Sequence, residues 1–460
     1  MRSLTVGLVL AMVLAACGAE DGEVVSSSTA PPESTPDGTV IEQTTTTIES
    51  STTTSSENTT TTGSSTTTTI VAAVTDDPNL PDAAGRNEIP WAEVGFGWTI
   101  VLFDSSKADA LGPNDVREGP VVLYLVDAGG RRYEVASWPA DNRPYALVDA
   151  TASAALVVGS GATMDDTVWT LVDLPTGATQ VVHSASFPEV TLGWGQSVKL
   201  TRPTGANVVV YRGDGVDEWL ERRSPAGTVL ATLYRQDYLD AFTSLRWMYG
   251  HDGTFVLVSH HGGIAMVGND GTLMTDLWVP PDNQCEPVRW WDADTFLATC
   301  YGQGPGSAPV DEFGDPHTYY GRLWLLETDG SAGRALTEYP ADPIFVGDFG
   351  YSDAWRAGPD TPLQWTGDCG AAHIAKLQSD GTGSFIDISV PPSIVADGVA
   401  MVDVNVVAGL ITVYGYQGCA GDVGALFVVD LEGNFVQELV PVVGDARSVI
   451  GALGLGNVYP

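Results

Sequence analysis

Lysine is nearly missing from this chain: Lys107, Lys199 and Lys376 are the three copies in 460 residues. Arginine raises the cationic total to 20, against 58 acidic residues, so the formal net charge is −38. A field of that sign repels nucleic acid and anionic lipid headgroups, and no basic patch interrupts it. The composition therefore excludes nucleic acid as a partner. One interpretation of this charge is that carboxylates spread over the surface keep the protein soluble. The alternative is that some of them bind divalent cations.

The motifs of catalytic sites are also missing. The chain has six His, with no HExxH and no paired CxxC, which argues against a transition-metal site. No GxSxG is present, because Gly159-Ser160-Gly161 lacks the outer glycine spacing, and no Gly-rich loop opens a helix to cradle a phosphate. Acidic residues are too numerous to single out a glycosidase pair. We therefore assign no catalytic residue and no cofactor, and a binding protein is favoured over an enzyme.

The chain contains one sequence motif repeated seven times: an apolar strand, a tight turn with glycine, and a more polar strand. Its clearest copy is GRLWLLETDGSAGRALTEYP, at Gly321–Pro340. The turn glycines of the seven copies are Gly129, Gly177, Gly227, Gly271, Gly330, Gly381 and Gly433. Each interval of 44 to 59 residues holds four short β-favouring runs, which is the pattern of a propeller blade. We predict an all-β propeller of seven four-stranded blades, with six or eight left open.

The second copy shows the four predicted strands most clearly: Tyr145–Asp149, Ala154–Val158, Val168–Asp173 and Thr179–His183, from the innermost to the outermost. The second strand, AALVV, is continuously apolar, as expected of a strand that is covered on both faces. The outermost strand alternates with polar residues, as expected of a strand with an edge to water.

Two further stretches carry a family resemblance. LRWMYGHDGTFVLVS (Leu245–Ser259) and VRWWDADTFLATC (Val288–Cys300) each place a Trp-containing inner strand before a turn and an apolar strand, and a hairpin with Asp-Gly follows. This pattern resembles the TolB-like propeller repeat, over roughly residues 89–441. The resemblance implies the fold. The family fills roles in protein–protein contact and as accessory domains of hydrolases, and it brings no catalytic motif to these residues.

The N-terminal sequence predicts where in the cell the protein is located. Arg2 precedes an apolar run of 13 residues, Leu4–Ala16, which is shorter than the ~20 residues that cross a bilayer. The run ends in Leu14-Ala15-Ala16-Cys17, which resembles a bacterial lipobox and implies cleavage before Cys17 and acylation of its thiol. We expect residues 1–16 to be a lipoprotein signal peptide. The protein would then sit at the cell membrane, facing the extracellular or periplasmic side, with the lipid anchor as its membrane contact. Ordinary secretion with an incidental Cys17 is the alternative.

Residues 17–88 predict a linker. The segment is dominated by Ser and Thr and has no apolar periodicity, so it cannot bury enough surface to offset the entropy of ordering. It resembles an O-glycosylated stalk. Residues 89–460 then form a single propeller domain, a monomeric head held clear of the membrane.

Four cysteines remain after Cys17, and an even number in an exported domain indicates disulfides. Cys285 lies just before a predicted inner strand and Cys300 ends the second strand of the same blade, so antiparallel pairing brings them together. Cys369 and Cys419 follow the second strands of two adjacent blades. We predict the disulfides Cys285–Cys300 and Cys369–Cys419.

The candidate ligand site lies in the long insertions. Asp104–Gly119 and Gly302–Gly321 both join the second and third strands of their blades, hence they emerge on one rim. Loops of this length are usually functional or disordered. The second insertion supplies the candidate ligand-binding residues Asp311, Glu312, Asp315, His317, Tyr319 and Tyr320. A solvated loop without a ligand is the alternative.

The same rim carries Arg212-Gly213-Asp214-Gly215, followed by Asp217 and Glu218. These carboxylates leave Ca²⁺ open as a ligand, since that ion takes 6–8 oxygens, but their spacing does not match an EF-hand loop. The sequence predicts no other metal.

The sequence therefore favours a lipid-anchored propeller of the cell envelope that binds a protein or a glycan through one rim. The alternative is an envelope hydrolase or lyase with its active site at the central funnel. That alternative requires acidic residues with raised pKa values to converge there. A third reading is a ring with a purely structural role, which would present no concave polar site.

Overall fold

The computed structural model describes residues 68–69, 77–107, 119–140, 143–160, 166–186, 198–213, 217–237, 245–260, 263–281, 283–303, 319–338, 350–366, 372–417, 423–444 and 446–455. All of them lie within one compact unit, Ser65–Pro460. Over these residues the protein is all-β, with thirty strands and two single-turn 3-10 helices, Arg86–Glu88 and Gly358–Asp360.

The repeated element is a meander of four antiparallel strands, here called a unit. Unit 2 comprises β6 (Pro144–Ala150), β7 (Ala154–Ser160), β8 (Asp166–Asp173) and β9 (Ala178–Ser186), which confirms the four strands predicted for it.

The remaining strands follow the same order. They are β1 (Thr68–Thr69), β2 (Ala84–Gly85), β3 (Trp98–Lys107), β4 (Val121–Val126), β5 (Arg132–Trp138), β10 (Val198–Leu200), β11 (Val208–Gly213), β12 (Asp217–Arg223), β13 (Val229–Asp237), β14 (Trp247–Tyr249), β15 (Phe255–His260), β16 (Gly263–Gly268), β17 (Leu273–Leu277), β18 (Gln284–Trp290), β19 (Thr295–Gln303), β20 (Tyr319–Glu327), β21 (Arg334–Ala335), β22 (Gly350–Ala354), β23 (Pro362–Thr366), β24 (Ala372–Leu377), β25 (Gly383–Phe385), β26 (Gly398–Asn405), β27 (Leu410–Gln417), β28 (Val423–Asp430), β29 (Phe435–Val440) and β30 (Ala446–Leu455). Units 3 to 7 are β10–β13, β14–β17, β18–β21, β22–β25 and β26–β29, whereas unit 1 is β30 with β3, β4 and β5.

Hydrogen bonding arranges these strands into five sheets. Counted in this way the propeller has five blades, and the prediction of seven separate blades is corrected. Two sheets hold two units each, because neighbouring units touch through a single parallel residue pair: Gly321 with Gly350 joins units 5 and 6, and Gly424 with Ser448 joins units 7 and 1. The all-β propeller class is as predicted.

The ring is closed by β30. This strand follows the other units in the chain, yet it pairs antiparallel with β3, from Trp98 opposite Leu455 to Lys107 opposite Ala446. The sequence of the tail Ala446–Pro460 predicts that it returns beside Ile89–Gly97 and helps to close the ring. The actual partner is the next stretch, because Trp98–Ser106 of β3 is buried and one edge of this strand is left unpaired by β4. Unit 1 is therefore built from both ends of the repeat region.

The buried side chains of the described residues form seven clusters, and each cluster lies between two successive units. Between units 3 and 4, for example, Leu220 and Leu233 pack with Trp247 and Val256. Stability thus comes from burial between units, since each sheet is covered on both faces by its neighbours.

Hairpins of the repeat that carry the turn glycines contact a neighbouring unit at several positions. The turn glycines with positive φ are Gly130, Gly177, Gly227, Gly271, Gly330, Gly381 and Gly433, so the first copy uses Gly130 rather than the predicted Gly129. A Cβ on Gly271 would collide with the carbonyl oxygen of Thr232 in unit 3, and one on Gly433 would collide with that of Asp387, which follows unit 6. At these two glycines the hairpin tip rests on the backbone before its own unit, whereas a Cβ on Gly227 or Gly330 would meet open space.

Residues 77–88, which the sequence assigns to the linker, pack on unit 1. β2 pairs in parallel with β5, and the Arg86 guanidinium donates to the Val135 carbonyl at 3.3 Å. The Arg132 Nε donates to the carbonyl of Asp82 at 2.9 Å, and the side chain of Leu80 packs against a buried cluster. Among the described residues, no helix is long and apolar enough to cross a membrane.

Candidate functional site

The rim predicted to bind a ligand is the end of the ring at which second and third strands are joined. β3 leads to β4 and β19 leads to β20 at this end, so the two long insertions do share it. Tyr319 and Tyr320 open β20, opposite Gln303 and Gly302. The other four candidates lie outside the described residues: Asp311, Glu312, Asp315 and His317.

A disulfide joins Cys285 and Cys300, as predicted, with the two Cα atoms 4.0 Å apart. The two residues face each other directly across β18 and β19, and both are buried. Cys300 precedes the last three residues of β19, so the cross-link stands at the base of the Gly302–Gly321 insertion. Cys17, Cys369 and Cys419 lie outside the described residues, and the Cys369–Cys419 pairing stays a prediction.

The acidic stretch beside the rim is engaged in hydrogen bonds where the structure describes it. Glu218 is buried, and its carboxylate accepts from the Tyr211 hydroxyl at 2.6 Å and from the Gln236 amide at 2.5 Å. Asp217 forms an ion pair with Arg235. Among described residues, no group of three or more His, Cys, Asp or Glu is placed to hold a metal ion.

The structure reveals a polar feature that the sequence analysis missed, on the innermost strands. Asp149, Asp353 and Asp403 each stand at an irregularity in the pairing of their inner strand, in β6, β22 and β26. Each carboxylate accepts from the backbone N–H of the next residue, at 2.8 to 2.9 Å. A recurring bulge thus turns the same acidic side chain back toward the inner edge of three units.

Two of these carboxylates tie neighbouring units together. Asp149 receives two contacts from the Arg202 guanidinium of unit 3, at 2.6 and 3.2 Å, together with the backbone N–H of Leu200. Asp353 pairs through both oxygens with Arg289 of unit 5. Each of these two carboxylates is thus engaged by two guanidinium nitrogens of the neighbouring unit.

Asp403 differs from them. It is buried, and burial raises the pKa of its carboxyl, an effect that the backbone N–H of Val404 and the charge of Arg289 partly offset. A Cβ on Gly454 in β30 would collide with the Asp403 side chain, so the carboxyl is covered by the closing strand. Burial thus gives Asp403 the raised pKa expected of a general acid, but its carboxyl lies under a strand.

A signal for these residues was present in the sequence. The inner strands end in LVDA, YSDA and MVDV, at residues 147–150, 351–354 and 401–404. The acidic residue recurs at one position of an otherwise apolar strand, which indicates a shared backbone role. The arginine partners carry no such signal, because Arg289 and Arg202 lie at different positions relative to their strands.

A cleft of about 380 Å³ opens away from the ring centre, where unit 6 meets unit 7. Its lining is mainly apolar and includes Phe385 and Val390, which are 42% and 37% exposed. His373 and Asp387 supply polar groups at its wall. The cleft is mixed in character, and its lining includes a second carboxylate, Asp397.

Comparison with known proteins places the chain at the level of fold. No family model matches it, and no curated protein sequence does. Solved propellers are similar in structure. The β-propeller domain of the Trilobed protease from Pyrococcus furiosus is 10% identical, with a TM-score of 0.41 over 73% of this chain and 92% of that one. A hypothetical selenium-binding protein from Sulfolobus tokodaii is 11% identical, with a TM-score of 0.47 over 84% and 99%. TolB from Acinetobacter baumannii is 14% identical, with a TM-score of 0.35 over 63% and 66%. At these identities the likeness concerns fold alone, and the assignment of a β-propeller rests on the strand topology.

Proposed function

We propose that this chain is a lipid-anchored protein of the cell envelope whose propeller binds a protein or a glycan through the rim of the long insertions. In this proposal residues 1–16 are the signal peptide, Cys17 carries the lipid, and the Ser/Thr-rich segment that follows is a stalk. The head faces the extracellular or periplasmic side as a monomer. The Gly302–Gly321 insertion supplies the contacts, with Asp311, Glu312, Asp315, His317, Tyr319 and Tyr320 as the candidates.

The observation that carries the proposal is the disulfide Cys285–Cys300. It cross-links β19, from which the longest insertion departs, to the inner strand β18, and binding loops act best on such a rigid base. Disulfides persist in oxidising compartments, which agrees with export to the envelope. The proposal includes Ca²⁺ only as an ion that the loop carboxylates could bind at the rim.

Binding is favoured over hydrolysis because two of the three recurring inner-strand carboxylates are engaged by arginine. A hydrolase at the central funnel would need Asp403, the carboxyl with the raised pKa, to reach a substrate. Asp403→Asn separates the two functions. A binding protein keeps its full capture of the partner, whereas an enzyme keeps the capture and loses turnover of the captured envelope material.

The test is photo-crosslinking in intact envelopes, with the full chain and a variant in which residues 304–318 are replaced by a short Gly-Ser turn. A matched control replaces the Asp329-Gly330 turn, at the opposite end of the same unit, with a Gly-Ser turn. We expect crosslinked partners to disappear in the first variant and to persist in the control. Unchanged capture without residues 304–318 would contradict the proposal.

A further inference from the structure

Cations gather at one place in this strongly acidic protein. Lys199 in β10, Arg202 just after β10 and Arg246 just before β14 lie close enough to interact electrostatically, together with Asp149 and Glu286. The cluster holds more cationic than acidic groups, although the whole chain carries −38. It lies along the inner strands of units 2 to 5, and its members Arg246 and Glu286 also interact electrostatically with Tyr301, next to the base of the Gly302–Gly321 insertion.

Lys199 has no carboxylate at salt-bridge distance among the residues that the structure describes. Its Nζ donates to the carbonyl of Trp247 at 3.1 Å and lies 5.3 Å from the centre of that indole ring. Burial lowers the pKa of Lys199, and the charges of Arg202 and Arg246 act in the same direction, whereas Asp149 and Glu286 oppose them. An ammonium group with a neutral carbonyl partner retains two N–H donors for another acceptor.

Arg246 has spare donor capacity as well. Its Nε lies 3.4 Å from Glu286 Oε1, which is a long, single contact. Its Nη1 is buried and has no hydrogen-bond partner in the described part of the chain. The backbone is fixed, because the N–H of Arg246 donates to Ser259 Oγ at 2.9 Å. A buried guanidinium nitrogen without an acceptor is costly, and an incoming oxygen would remove that cost.

Lys199 and Arg246 are brought close to each other by the backbone at Trp247. Lys199 contacts the carbonyl of Trp247, and Arg246 is the residue directly before it. The site is open to solvent, since the Arg246 side chain is 29% exposed and that of Glu286 is 36% exposed. Arg202 is different, because Asp149 already occupies its guanidinium.

We propose that Lys199 and Arg246 bind the oxyanion group of a small acidic ligand, a carboxylate or a phosphate, at the inner edge between units 3 and 4. Lys199 supplies a compact charge and Arg246 a directed N–H donor, a combination suited to such a group. The surrounding field of −38 repels polyanions, which limits the ligand to a small one. The two residues lie outside the rim insertions, so the proposal holds whether or not the insertions bind a partner.

The scarcity of lysine makes the test direct. Lysine labelled with ¹³C at Cε gives the full chain three side-chain resonances, from Lys107, Lys199 and Lys376. Inorganic phosphate and glucuronate are added separately, at constant pH and at ionic strength matched with sodium chloride. We expect one of these probes to shift the Lys199 resonance to saturation, and to raise the pH at which that resonance titrates. Saturation by phosphate assigns a phosphoryl ligand, and saturation by glucuronate assigns a carboxylate.

Variants fix the residues. Arg246→Gln should weaken the binding by about tenfold or more, the loss typical of one charged hydrogen bond, and Arg246→Lys should recover part of it. Lys376→Gln is the matched control, because Lys376 is held by Asp360 at 2.5 Å and takes no part in the cluster. Thermal unfolding without the probe checks that each variant is folded. The proposal fails if neither probe saturates Lys199, if all three lysines shift alike, or if folded Arg246→Gln binds as tightly as the unaltered chain.

Discussion

Acidification should destabilise the ring through one buried histidine, His183 on the outer strand of unit 2. The side chain is 8% exposed, and its ring lies 5.1 Å from that of Trp169. Burial lowers the pKa of His183 to about 4, and the charges of Arg212 and Arg223 act in the same direction, against Glu221. The folded protein therefore keeps this imidazole neutral over a range in which an unfolded chain protonates it.

The magnitude follows from the displaced pKa. The unfolded chain takes up the proton near pH 6.5 and the folded chain near pH 4, so stability is lost as the pH falls between these values and no further below them. Each pKa unit corresponds to about 1.4 kcal/mol, hence His183 accounts for about 3 kcal/mol of the free energy of unfolding over this window.

The assay is urea unfolding at pH values from neutral to 4, on the unaltered chain and on His183→Phe, which keeps an aromatic ring beside Trp169. The unaltered chain should lose about 3 kcal/mol more than the variant across the window. His251→Phe makes the same exchange at an exposed position and serves as the control for the removal of an imidazole. Parallel curves for His183→Phe would refute the account of this histidine.

Two further predictions concern the scaffold. Gly271→Ala should destabilise the protein by about 2–4 kcal/mol, because of its positive φ and its collision with unit 3. Gly227 has a similar φ but open space around it, so Gly227→Ala should cost about 1 kcal/mol. Equal losses in urea unfolding would contradict the role of the Gly271 hairpin tip as a contact. The double variant Cys285→Ser/Cys300→Ser should lose about 3 kcal/mol, the loop-closure entropy for a sequence separation of 15 residues. That loss is measured against the unaltered chain under non-reducing conditions, and no change in the midpoint would show that the cross-link adds nothing.

The sequence predicts those features of the fold that depend on local chemistry. A turn glycine and the alternation of apolar residues fix where a hairpin stands, so the strands of unit 2 and the pairing of Cys285 with Cys300 follow from the repeat. The number of sheets does not follow. It depends on whether two units approach closely enough for one parallel pair, as Gly321 and Gly350 do, and that distance is set by the packing of the whole ring.

The polar groups at the inner edge escaped the sequence analysis for a related reason. Asp353 stands in a repeated position, but its partner Arg289 is 64 residues away, and the pairing depends on the angle between two units. The cation cluster is equally distributed, since Lys199 and Arg246 come from different units. The candidate ligand residues of the long insertion were selected by composition alone, and they stay a prediction for the rim.

The late position of β30 in the chain bears on how the protein is made. Until β30 has been synthesised, β3 presents an unpaired edge rich in apolar residues, which is the kind of edge that recruits strands from other molecules. The pairing of Trp98 in β3 with Leu455 in β30 joins residues that are far apart in the sequence. Contacts of such long sequence separation form slowly during folding. The ring therefore closes only after β30, the last of the described strands, has been made.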